Sequence, residues 1–193
     1  MDKSKKIVII AVIILVLVVA LVMVFSKLNE NRNSSKSNLD ISSTQDMKNL
    51  IEKMYEGIET FPSVETTEID VTDLNLVTYV TGLTSSEKIE NIVISEPMMR
   101  AQAYSLVLVK VKNNNDADDI AKQMNENIDA RKWICVEAEK VYTTSSGNIV
   151  CLVMSSEEMA KPVYDRFKQI AGGIGNEYVR DTNEGIIDEQ TVL

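Results

Sequence analysis

The chain has 193 residues, a net charge of −9, two cysteines and no histidine. A negative balance of that size disfavours nucleic acid and anionic lipid headgroups as partners of the folded part. The absence of histidine removes the usual zinc ligand, the usual neutral-pH base and every Ser-His or Cys-His pair.

Met1–Lys6 is a short charged cap. Ile7–Phe25 follows, 19 consecutive residues drawn only from Ile, Val, Leu, Met, Ala and Phe. As a helix they would span about 28 Å, the thickness of a bilayer core. A cleaved signal peptide would have a shorter apolar region and a small-x-small site after it. Val24-Phe25-Ser26-Lys27 offers no such site, so the expectation is an uncleaved single-pass signal anchor. Lys3, Lys5 and Lys6 crowd its N-terminal side, whereas Lys27, Arg32 and Lys36 are dispersed beyond it. That asymmetry predicts a cytoplasmic N-terminus and an extracellular C-terminal domain. The span carries no polar residue and no small-xxx-small pair, so it reads as a passive tether in the cell membrane. Residues 1–26 carry +2, which leaves −11 for the remainder.

Residues 26–43 are Ser- and Asn-rich and predict a flexible linker. Ser43 or Thr44 then caps a helix over about Gln45–Thr60, with Met47, Leu50, Ile51, Met54, Tyr55 and Ile58 on one face. Phe61-Pro62 is expected to end it. Ser63–Asp70 is polar and extended. Thr72 or Asp73 caps a short helix through Val80, stopped by Gly82.

From Lys88 the pattern becomes that of strands. Ile89–Ser95 is the first. Gln102–Lys112 is the clearest: Ala103, Ser105, Val107, Val109 and Val111 alternate with Tyr104, Leu106 and Leu108. Apolar residues on both faces predict a central strand covered on two sides. Met98-Met99 is expected to pack within that hairpin; an exposed apolar patch is the alternative. Asp116 is expected to cap a helix over Ala117–Ala130, and Trp133 to clamp it to the sheet.

Val136–Thr143 and Ile149–Met154 predict a second strand pair around a turn at Thr144–Asn148. Ser155 and Glu158 form a capping-box pattern for a helix to about Ala171, with Pro162 inside it and Gly172-Gly173 stopping it. Residues 174–193 are acidic and are expected to be a disordered, solvated tail. If the second pair is a hairpin, Cys135 and Cys151 are near neighbours. A disulfide and two free thiols are both open, with free thiols the expectation.

The fold class predicted for residues 44–173 is α+β: two strand-strand-helix units in series, forming one mixed or antiparallel sheet with helices packed on it. This layout resembles the bacterial membrane-anchored and lipoprotein family called domain of unknown function 4358. The resemblance rests on Ala103-Tyr104-Ser105-Leu106-Val107-Leu108-Val109-Lys110-Val111-Lys112 and the Asp-rich helix start at Asp116. It continues through Gly147-Asn148-Ile149-Val150-Cys151-Leu152 to the closing helix that contains Phe167. It implies a Gram-positive cell-envelope protein and brings no catalytic residue with it.

Candidate chemistry is sparse. Asp116, Asp118 and Asp119 resemble a calcium loop, but position six from Asn114 is Asp119 instead of Gly, and position twelve is Asn125 instead of Glu. No catalytic residue, metal ligand or cofactor is expected. The three aspartates are the candidate partner-binding residues, and reversing Asp118 and Asp119 to Lys is expected to release a partner without altering stability. Glu65 with Glu68, Asp70 with Asp73, and Glu157 with Glu158 are carboxylate pairs of the kind a glycosidase places across a cleft, but with 29 Asp and Glu in the chain such pairs arise freely. The sequence therefore reads as a non-enzymatic binding or assembly module. Its partner would be another envelope protein or a cationic peptide. A carboxylate-dependent cell-wall hydrolase and a purely structural envelope component are the alternatives.

Overall fold

The computed structural model describes residues 37–58, 62–99, 102–133 and 135–182. The expected cytoplasmic cap and membrane anchor, residues 26–36 of the expected linker and residues 183–193 of the expected tail lie outside the described residues. Among the described residues, no helix is long and apolar enough to cross a membrane.

Ten principal elements make an α+β domain: α1 (Thr44–Tyr55), β1 (Val64–Ile69), α2 (Leu74–Thr81), β2 (Ile89–Pro97), β3 (Ser105–Val111), α3 (Ala117–Asn127), β4 (Lys140–Ser146), β5 (Ile149–Ser155), α4 (Glu157–Ala171) and β6 (Tyr178–Asp181). The strands form one antiparallel sheet in the order β1-β2-β3-β5-β4-β6. β3 is interior, as its two apolar faces require. Val107, Val109 and Val111 pack with Val77 and Val80 of α2 and Ile120, Ala121 and Met124 of α3. Leu106 and Leu108 pack on the opposite face with Met47 and Ile51 of α1 and Val163 and Phe167 of α4. The sheet is thus the middle of three layers, and Trp133 lies in the α2–α3 side of the core as expected.

Local signals account for most helix ends. Ser43 caps α1 in a capping box with Asp46. The Asp46 carboxylate also accepts from the Ser42 amide and hydroxyl. These hydrogen bonds, those from the Ser43 and Ser42 hydroxyls foremost, hold its pKa at about 2. The helix ends at Tyr55, short of the expected Thr60, because Gly57 turns the chain at φ 81°. Asp73 caps α2 by accepting from the Asn75 and Leu76 amides. Gly82 ends it at φ 76°, and a Cβ there would lie 2.4 Å from the Ile128 amide nitrogen, so close approach and backbone conformation both demand glycine.

Several expectations are corrected. β4 spans Lys140–Ser146 instead of Val136–Thr143. The run Thr144–Ser146 looks like a turn because it is polar, yet the hydroxyls of Thr144 and Ser146, like that of Thr143 before them, are satisfied by distant carbonyls. Thr143 donates to Ala121, Thr144 to Asn176 and Ser146 to Gly173. Those bonds let the polar run stay inside the sheet. Ser155 belongs to β5 and donates to the Ala103 carbonyl, so the Ser155–Glu158 capping box does not form and Ser156 holds the N-cap position without a side-chain bond. Asp116 likewise makes no side-chain cap bond to α3, which ends at Asn127 instead of Ala130. Both cysteines are free: Cys151 is buried, while Cys135 is exposed in the connection before β4.

The acidic tail is corrected over its described part. Tyr178–Asp181 forms β6 and pairs with β4. The Asn125 side-chain amide donates to the Tyr178 carbonyl, Arg180 donates to the Ile128 carbonyl, and Lys140 pairs with Asp181. Residues 37–43 are corrected in the same sense, from linker to domain. The Ser37 hydroxyl donates to the Ser146 hydroxyl oxygen, the Asn38 amide donates to the Ala171 carbonyl, and Leu39 and Ile41 pack on the α1–α4 side of the core. The chain therefore enters the domain beside the β4–β5 turn. Pro97, Ser105, Lys140 and Ser155 share the opposite end, about 20 Å away along the strands.

Candidate functional site

The three aspartates singled out as partner-binding residues lie together but are committed within the fold. Lys88 Nζ is 2.7 Å from Asp116 Oδ1 and 3.9 Å from Asp119 Oδ2. Asp119 also accepts from Gln123. Asp118 accepts from the Asn176 amide at 3.1 Å, the Asn176 side chain at 2.8 Å and the Tyr178 hydroxyl at 2.9 Å. It therefore ties the approach to β6 onto the first turn of α3. Reversal of Asp118 is accordingly not neutral for the fold. Asp118→Ala is expected to cost about 1–2 kcal/mol and to speed hydrogen exchange in residues 178–181 well before β5 is affected. Asp119→Lys is expected to stay within about 0.5 kcal/mol. Equal exchange at β6 in both variants would remove the anchoring role from Asp118.

Among the other carboxylate pairs, Asp73 is spent on the α2 cap and Glu157 offers its backbone amide to Glu139. Glu68 and Asp70 do converge on something. With Ile69, Val71, Glu90 and Asn91 they line an open groove of about 390 Å³ where β1 ends and β2 begins. Glu90 is paired with Lys110 Nζ at 2.9 Å, which also donates to the Ser42 carbonyl. The groove is thus at the end where the chain enters. Asp70 accepts from the Thr72 hydroxyl and amide, and these bonds hold its carboxyl below the usual carboxylate range. That is the wrong direction for a general acid near neutral pH. Among the described residues, Glu65, Glu68 and Asp70 form no ion pair.

At the opposite end lies a group that sequence reasoning missed. The Lys132 side chain is 1% exposed, with Nζ 2.6 Å from Glu96 Oε1. It donates to Ser105 Oγ at 3.2 Å and lies 5.1 Å from the Tyr79 ring and 5.4 Å from the Trp133 ring. Burial pulls the Lys132 pKa below its ordinary value, and Glu96 opposes that pull. A serine beside a lysine of lowered pKa is the geometry of a Ser-Lys nucleophile. Here Ser105 is fully buried, and the Lys132 amine is engaged by Glu96 Oε1 at 2.6 Å. The arrangement works instead as a staple from the 131–133 connection to the start of β3 and the end of β2. No local pattern marks it, because residues 79, 96, 105 and 132 meet only in the folded chain. Met98 and Met99, expected to pack in the hairpin, are 73% and 75% exposed nearby in sequence.

Among the described residues, no group of His, Cys, Asp and Glu is placed to hold a metal ion. No protein-family model, curated protein or solved structure matches the chain.

Proposed function

We propose that this chain is a single-pass, membrane-tethered binding module of the bacterial cell envelope that captures cationic segments on its extracytoplasmic domain. The observation that carries the reading is the row of carboxylates at the β1 edge and its groove. Glu65, Glu68 and Asp70 have no cation of their own among the described residues, although the domain forms ion pairs freely elsewhere. Unspent charge of one sign steers and selects an oppositely charged partner. Ile7–Phe25 supplies the anchor, and the resemblance to domain of unknown function 4358 supports the envelope setting.

Because residues 37–43 belong to the domain, only residues 26–36 remain as tether.

The test uses the full-length chain in its native membrane. The anchor should resist alkaline carbonate extraction, and external protease should reach residues 37–182 in intact cells. A Lys-rich peptide should co-sediment with those membranes at low salt and less at high salt. Release by carbonate, or protection of the domain in intact cells, would remove the tethered extracytoplasmic reading. Turnover of a cell-wall glycan, abolished by one carboxylate-to-amide change, would establish the hydrolase instead.

A further inference from the structure

We propose that the cationic segment binds as an added β-strand on the free edge of β1. This rests on the cation-binding reading above and specifies its mode. Among the described residues, β1 is the outermost strand and is hydrogen-bonded to β2 alone. Its six residues pair with Pro97–Ile92 without a register shift, and it contains no proline and no bulge. Edge strands are commonly blunted by just such features. The other edge, β6, has four residues and is strapped by Asn125, Arg180 and Lys140. The outward backbone groups of β1 are therefore the longer open ladder, and an extended peptide that completes it gains main-chain hydrogen bonds.

Charge decides the occupant. Glu65 pairs with Glu96 and Glu68 with Val93, which puts the two carboxylates on opposite faces of the sheet. A strand with two lysines three residues apart would meet both carboxylates, one on each face. A further basic residue would enter the groove beside Asp70 and Glu90. The residue pattern of the edge thus selects a basic strand.

Hydrogen-exchange mass spectrometry on the full-length chain in detergent tests this with two peptides of equal charge. One places Thr-Val between lysines; the other places Pro-Pro there and cannot donate to a ladder. The Thr-Val peptide should slow exchange over residues 64–69 at alternate amides and bind about tenfold more tightly than the Pro-Pro peptide. The double change Glu65→Lys and Glu68→Lys should weaken the Thr-Val peptide by about tenfold. Both sites are exposed, so the variant retains the fold. Equal binding of the two peptides with no protection of 64–69 would overturn strand addition and leave the cation-binding reading standing. Binding of neither peptide would overturn both and leave the acids as guards of the edge.

Discussion

Val109→Asp is expected to abolish the cooperative unfolding transition. Val109 is fully buried in β3, between Ile92 of β2 and Val150 of β5, on the face covered by α2 and α3. Losing its buried apolar surface costs about 1.5–3 kcal/mol. Among the described residues that core cluster is apolar, so a carboxylate in its place is left without a cation and adds several kcal/mol more. The sum approaches the whole stability of a domain, about 5–15 kcal/mol. Val109→Ala, which leaves a small cavity without a charge, should cost about 2 kcal/mol and keep the transition. Thermal and urea melts followed by far-ultraviolet circular dichroism measure both. If the aspartate variant melts within a few degrees of the parent, the central placement of β3 is wrong.

Lys132→Ala is expected to have the next largest effect, about 3 kcal/mol or more. Removing the ammonium leaves the largely buried Glu96 carboxylate without its cation and the Ser105 hydroxyl without its donor. The contact over Tyr79 and Trp133 is lost as well. The cost comes from the charge left behind, so a second substitution should repair it. Lys132→Met with Glu96→Gln should recover most of the loss, since a buried pair replaced by neutral groups of similar volume is often close to neutral. Urea midpoints for the single and double variants decide the matter. If Lys132→Ala lowers the midpoint no more than a surface lysine change does, the staple contributes nothing.

The two residues stand at opposite ends of legibility. Val109 is predictable because alternation in β3 is a local property: Val107, Val109 and Val111 share a face at period two, and both faces are apolar. The cap at Asp73 and the stop at Gly82 are legible for the same reason, since each acts within a few residues of itself. The free edge of β1 is half legible. Ser63–Asp70 reads as polar and extended, but its place at the rim depends on which strands the others choose.

Amino-acid order by itself determined the apolar faces, the α+β class and the unbroken apolar run at Ile7–Phe25, because each depends on spacing along the chain. Only the tertiary structure decided that Thr144–Ser146 are strand and that Tyr178–Asp181 join the sheet. It alone also spent Asp118 on holding β6 and brought Glu96 to Lys132. In each case a polar group that looks fit for water is satisfied by a donor or acceptor more than ten residues away. Such a partner is invisible until the chain folds, and satisfaction of the buried polar group is what makes the position stable.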